Sequence, residues 1–274
     1  MKISILGCGW LGMPLGNHLQ NQGHFIKGST TSREKQSILK RNGFESYVIK
    51  AGKQGIIGEN SDAFWKSDVL FLNIPPGRRR KDVLERYPRQ IHHTLEKVRE
   101  GTVNWVIFAS STSVYSNFGG VVSEEDADIK KASSASGQAL ITSEEKLMES
   151  TGFDTTILRF GGLYGYERHP VNYLSGRKNL DKADKPVNLI HQDDCIKIVD
   201  ELLRQDIRTG IFNAVSDGHP PRKEFYQSAA RHFSLPAPVF NNKNNGHNKI
   251  VSNQRLKDVL GYQFIYPNPM DHTP

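Results

Sequence analysis

Short apolar blocks alternate with amphipathic stretches through the first two-thirds of the chain. Ile3–Leu6, Phe25–Gly28, Tyr47–Ile49, Val69–Ile74, Val103–Ala109 and Thr156–Phe160 read as strands. The longer ones are nearly continuous apolar runs, as strands buried on both faces should be. Leu11, Leu15 and Leu19 recur four apart after the first block, and Gly23 supplies a C-cap to that helix. Leu84, Tyr87, Ile91, Leu95 and Val98 form a second buried stripe. Pro88 falls within it and marks a kink or a helix start. Strand–helix alternation of this kind predicts an α/β fold with a doubly wound parallel sheet.

The texture changes after Gly165. Residues 166–186 are polar, basic and loop-like, and Val187–Ile190 then reads as a short strand. A helix carrying Cys195, Val199, Leu202 and Leu203 follows, then a strand at Ile211–Val215. Phe225, Ala229 and Phe233 share one face of a later helix, and Asn241 to Lys249 reads as an exposed polar loop. The division expected is a nucleotide-binding domain over 1–165 and a small C-terminal substrate lobe over 166–274, with 187–215 returning to the main sheet.

The first turn carries the most specific signal. Gly7-Cys8-Gly9-Trp10-Leu11-Gly12 stands between the first strand and the first helix. In this G-x-G-x-x-G, Gly7 permits the tight turn, Gly9 lets backbone approach a pyrophosphate, and Gly12 packs helix on strand. The helix N-terminus adds unpaired N–H groups and a positive dipole end. A Rossmann-type site for a dinucleotide follows. An NAD site usually ends its second strand in an acid that holds the ribose hydroxyls. Here that position reads Thr30-Thr31-Ser32-Arg33, and Glu34 has capping-box spacing to Thr31. Small hydroxyls with an arginine suit a 2′-phosphate, which favours NADP over NAD. Asn73-Ile74-Pro75-Pro76 closes a strand on the same carboxyl edge, where such folds bind ligands.

Composition narrows the field. The net charge of +7 invites nucleic acid, but the one dense basic run, Arg78-Arg79-Arg80-Lys81, meets Asp82 and Glu85 at once. No nucleic-acid motif accompanies it, so a solvated helix start is the simpler reading. No apolar run has the length to span a bilayer, and the opening strand leaves no place for a signal peptide. Two cysteines, Cys8 and Cys195, make no disulfide framework, which fits a reducing cytoplasm. No His/Cys/Asp/Glu cluster has metal-ligand spacing.

Phe108-Ala109-Ser110-Ser111-Thr112-Ser113-Val114-Tyr115 ends the fifth strand, and Leu158-Arg159-Phe160-Gly161-Gly162-Leu163-Tyr164-Gly165 ends the sixth. Pro186 to Asp194, Ser252-Asn253-x-Arg255-Leu256 and Leu260-Gly261-Tyr262 follow in order. With the glycine loop, this series resembles the extended short-chain dehydrogenase/reductase family, which contains nucleotide-sugar epimerases and dehydratases. The resemblance runs from Met1 to about Pro267. It implies that Ser110, Phe160 and Gly161 join the cofactor contacts. It further implies that Ser111 orients a substrate hydroxyl, and that Thr112, Arg168, His169 and Asn188 face the substrate. Homodimers through the helices flanking the fourth and fifth strands are common in that family.

The family's acid/base is a Tyr-x-x-x-Lys pair, whose phenolate accepts the alcohol's proton as hydride leaves. The chain holds no tyrosine between Tyr115 and Tyr164. Thr142-x-x-x-Lys146 keeps the spacing, but a threonine hydroxyl is far too weak an acid. This resembles the family's atypical branch. Tyr115, Tyr164 and His191 are the remaining candidates for proton transfer, with Asp194 expected as the cap of the helix that His191 opens. Two functions stay open: an NAD(P)-dependent oxidoreductase or epimerase-like enzyme acting on a small hydroxylated or nucleotide-linked substrate, and a catalytically silent dinucleotide-binding sensor or scaffold.

Overall fold

The computed structural model describes residues 1–77, 80–116, 119–132, 134–241, 243 and 248–271. In chain order, β1 (Lys2–Leu6), α1 (Gly12–Asn21), β2 (Phe25–Thr30), α2 (Arg33–Arg41) and β3 (Glu45–Val48) come first. A short hairpin, β4 (Lys50–Gly52) and β5 (Gly55–Ile57), precedes β6 (Val69–Leu72), α3 (Val83–Glu100) and β7 (Trp105–Ser111). Next are β8 (Gly120–Val122), α4 (Ala135–Met148), β9 (Asp154–Phe160), β10 (Gly162–Tyr164), β11 (Leu189–His191), α5 (Gln192–Gln205) and β12 (Gly210–Ala214). The last elements are α6 (Arg222–His232), β13 (Lys249–Val251) and α7 (Gln254–Leu260).

Seven strands form one parallel sheet in the order β3-β2-β1-β6-β7-β9-β12. Helices cover both faces. Ile3, Ile5, Phe71, Ile107 and Leu158 pack with Leu15 of α1 and Val199 and Leu202 of α5. Leu70, Leu72, Val106 and Phe108 point the other way, onto Tyr87, Ile91 and Leu95 of α3 and Leu140 and Leu147 of α4. Alternate residues of one strand thus enter opposite cores, which is why these strands read as unbroken apolar runs. The chain turns outward from β1 to β2 and β3, then crosses back to β6. The reversal between β1 and β6 opens a crevice at the carboxyl edge.

Local details depart from the sequence reading in places. The cap of α2 is Ser32, whose side chain accepts from the Lys35 amide at 3.4 Å, so the Thr31–Glu34 capping box is off by one residue. Pro88 neither starts nor ends α3, which begins at Val83 and runs through it. The carbonyl that loses its partner to that proline belongs to Leu84, which is exposed to water. His191, not Asp194, caps α5: its Nδ1 accepts from the Asp193 amide at 3.2 Å. Asp194 instead accepts from the Tyr262 hydroxyl and the Ile265 and Tyr266 amides, tying down the C-terminal segment. Lys249 is a buried residue of β13 rather than part of an exposed loop. Arg78 and Arg79 of the basic run lie outside the described residues. No helix among the described residues is long and apolar enough to cross a membrane.

One polar network crosses the core. Arg159 of β9 grips Glu144 of α4 through Nε at 3.1 and 3.2 Å and Nη2 at 2.6 Å, with both side chains almost wholly buried. Its Nη1 donates to the Tyr115 hydroxyl and the Glu124 carbonyl. Removing one partner strands the other charge in a dry interior, which costs about 3–5 kcal/mol. Arg159→Met is therefore expected to lose about that much in urea unfolding, and the double variant Arg159→Met/Glu144→Leu to lose less than the single. A single-variant loss under about 1 kcal/mol would show that the pair is solvated.

Candidate functional site

The crevice at the β1/β6 reversal is a cleft of about 540 Å³. Its floor is the glycine loop, and each glycine there has its own reason. Gly7 has φ 110°, and a Cβ on it would stand 2.5 Å from the Asn73 carbonyl oxygen. At Gly12 a Cβ would lie 2.4 Å from the Gly7 oxygen. Gly9 differs, since a Cβ there meets nothing within 4 Å and the space above it is open to a ligand. The loop is braced from both sides. Ser29 Oγ accepts from the Gly7 amide at 3.0 Å, Cys8 N donates to Ser29 O, and Asn73 Nδ2 donates to Gly7 O at 3.0 Å. Cys8 is buried, which pushes its thiol up to about 12 and leaves it inert at neutral pH.

Of the residues expected to meet the dinucleotide, Gly7, Cys8, Gly9, Trp10, Leu11, Thr30, Thr31, Asn73, Ile74, Pro75, Pro76, Ser110 and Phe160 line the cleft. Gly12, Ser32, Arg33 and Gly161 do not. Ser32 is occupied as a helix cap, and Arg33 points away to pair with Glu59 at 3.1 Å on the surface. In its place stands Lys35, in the first turn of α2, which sequence reasoning missed. Ser29, Gly77, Ala109 and Leu163 complete the wall, together with Arg168. Lys35 and Arg168 are the basic side chains among the described lining residues, which include no carboxylate. A phosphate-rich ligand fits such a surface, with bare backbone at Gly9 and cations above it.

The expected catalytic residues are not gathered around it. Ser110 lines the cleft, yet its hydroxyl donates to Glu144. Ser111 begins a single helical turn, its Oγ accepting from the Ser113 amide at 3.3 Å. Tyr115 is buried, with its hydroxyl 2.5 Å from Asn213 Oδ1 and 3.0 Å from Arg159. Burial drives that phenol up to about 12, and it is not among the residues that line the cleft. Tyr164 alternates with Leu163, so Leu163 faces the cleft while Tyr164 packs with Leu189 and Phe225. Burial raises its phenol as well. His191 is wholly buried, capped onto α5 and packed against Tyr266 with ring centres 3.9 Å apart. Lys146 is exposed on the outer side of α4.

The residues expected to face the substrate serve other ends, Arg168 excepted. His169 caps a short turn through the Val171 amide. Asn188 pins β13, donating to Lys249 O at 3.0 Å and accepting from Val251 N at 2.8 Å. The Thr112 carbonyl accepts from Lys249 Nζ at 3.2 Å. Burial lowers that amine, and nothing in its polar sequence neighbourhood announced it. Among the described residues it has no carboxylate partner.

The comparisons with known proteins bear on this architecture. The Escherichia coli (strain K12) protein YeeZ is 31% identical over 271 residues, 98% of this chain and 97% of the relative. This chain belongs to the YeeZ family. A scan against models of protein families matches none. Among solved structures, a putative NAD-dependent epimerase/dehydratase from Methylobacillus flagellatus aligns with a TM-score of 0.75 and 22% identity, over 99% of this chain and 95% of that one. UDP-glucuronic acid 4-epimerase from Bacillus cereus, in complex with UDP-glucuronic acid and NAD, gives 0.79 at 16% identity, over 99% and 96%. At such identities these likenesses establish the fold that the YeeZ family member adopts.

Lys249 provides a measurement independent of any ligand. Burial, with Lys185 nearby as a second cause, lowers its amine to about 8. The folded value lies below the ordinary one of about 10.4, so stability should rise as pH increases between the two. In lysine-labelled protein one ε-carbon resonance is expected to titrate near pH 8 and to vanish in Lys249→Met. A lone midpoint near 10.4 for every lysine would mean that this amine is hydrated.

Proposed function

We propose that the cleft binds a nicotinamide dinucleotide, NADP in preference to NAD, and that the chain is an oxidoreductase or epimerase-like enzyme for a hydroxylated or nucleotide-linked substrate. The supporting observation is the cleft itself: open backbone at Gly9 beside Lys35 and Arg168, with no carboxylate among its described lining residues. A 2′-phosphate would meet Lys35 with the Thr30 and Thr31 hydroxyls, where an NAD site would offer an acid. When bound, the dinucleotide supplies hydride transfer. The chain's own part is to hold the phosphates on backbone amides and to present Ser110, whose hydroxyl orientation is fixed by Glu144. In this reading residues 1–165 hold the cofactor, and 166–274, less the returning segment 187–215, cover the substrate.

A second reading has its own support. No tyrosine occurs between Tyr115 and Tyr164, and Tyr115 is locked in the core, so no phenol is offered at the β7 end. A protein that binds the dinucleotide without turning it over, and signals its redox state to a partner, would have this arrangement. It requires different affinities for the oxidised and reduced forms.

Calorimetry separates these possibilities. NADPH is expected to bind more tightly than NADH, and Lys35→Met to weaken NADPH roughly tenfold, about 1.4 kcal/mol, while leaving NADH unchanged. Absence of heat with every pyridine nucleotide would refute dinucleotide binding. Consumption of cofactor with sugar nucleotides or simple alcohols and ketones favours the enzyme, and unequal affinities without turnover favour the sensor.

A further inference from the structure

Arg168 lines the cleft from a tightly built loop after β10. Gly165 and Arg168 exchange both backbone hydrogen bonds, at 3.2 and 3.0 Å, around a two-residue turn. The first residue of that turn, Tyr166, is left-handed with φ 50°, a conformation that costs a bulky side chain energy and persists only where the surroundings enforce it. Here its hydroxyl donates to Asp193, with oxygens at 2.9 and 3.0 Å. Gly165 has φ 132° and backs onto His191, which a Cβ would approach to 2.7 Å. The loop is thus pinned to the start of α5.

The guanidinium that this loop delivers lies over the Trp10 ring, 4.9 Å from its centre. Trp10 is held in turn by Gln192, whose side-chain amide donates to the Trp10 carbonyl at 2.7 Å. Arg33, Arg80, Arg86, Arg89, Arg204, Arg208 and Arg255 all have carboxylate partners. Arg168 has none among the described residues, as is also true of Arg41, Arg99, Arg177, Arg222 and Arg231, but of these six only Arg168 lines the cleft. A strained turn therefore aims an arginine with no acid partner at the loop whose backbone amides face the same space.

We propose that Arg168, steadied on the Trp10 ring, and the glycine-loop amides form one phosphate-binding site, with the fork taking oxygens of a phosphate ester inside the cleft. This deepens the dinucleotide reading and rests on it. The phosphate can belong to the dinucleotide's pyrophosphate or to a sugar nucleotide. A guanidinium stacked on an aromatic face keeps its in-plane N–H groups available, which an ammonium in the same place would not reproduce.

The test titrates the full chain with NADP⁺ and, separately, with UDP-glucose, comparing wild type, Arg168→Lys and Arg168→Met. Because Arg168 is exposed, both variants are expected to unfold thermally as the wild type does. Arg168→Met is expected to weaken NADP⁺ at least tenfold, with Arg168→Lys recovering little of it. The same loss confined to UDP-glucose supports the site and assigns its phosphate to the sugar nucleotide. Unchanged affinity for both probes in Arg168→Met, or full recovery by lysine, overturns the proposal. Failure of wild-type protein to bind either probe overturns the dinucleotide reading as well, and that outcome is distinct because no variant is involved.

Discussion

The ion pair between Arg159 and Glu144 holds together the edge of the sheet on which any chemistry of this protein must take place. Arg159 sits on β9 and Glu144 on α4; Tyr115 and Glu124 join from the segments after β7, and Asn213 from β12. The guanidinium itself bonds Glu144, Tyr115 and Glu124, and Asn213 joins through the Tyr115 hydroxyl and the Glu124 carboxylate. Two buried charges are an expensive way to fasten strands, and an apolar cluster of equal volume is often as stable. What charges add is direction. A carboxylate that accepts two guanidinium N–H groups and the Ser110 hydroxyl fixes the orientation of a side chain that also borders the cleft.

On the other half of the sheet the constraint is steric rather than electrostatic. The glycine loop must pass within contact distance of the β6 end, and the Asn73 oxygen leaves room for hydrogen only at Gly7. Asn73 repays that closeness through its side chain, which caps the Gly7 carbonyl. The two walls of the cleft are therefore positioned by unrelated means, close backbone packing at β1/β6 and a saturated ionic network at β7/β9. Tyr115 is a casualty of the second arrangement, because its hydroxyl is consumed in satisfying Arg159 and Asn213.

Most of the sheet was legible because buried parallel strands leave unbroken apolar runs, and the glycine loop because each glycine answers a separate steric demand. What escaped depended on residues far away in sequence. The cap falls on Ser32 rather than Thr31, and Lys35, two residues and about 200° around α2 from Arg33, lines the cleft while Arg33 pairs with Glu59. His191 and Asp194 both stand in the polar first turn of α5, and only the return of Tyr262 to Tyr266 decides that Asp194 is used elsewhere. Lys249 follows an asparagine-rich stretch, so its burial under β8 and beside Thr112 left no local trace.

The bond from Gln192 to the Trp10 carbonyl joins residues 182 positions apart. The glycine loop follows β1, yet α5, which backs it, comes after six of the seven strands of the sheet in chain order. Contacts of such separation close late because the intervening chain must be ordered first. The glycine loop is thus completed only when its distant backing helix docks, so its final shape belongs to the whole fold rather than to the local turn.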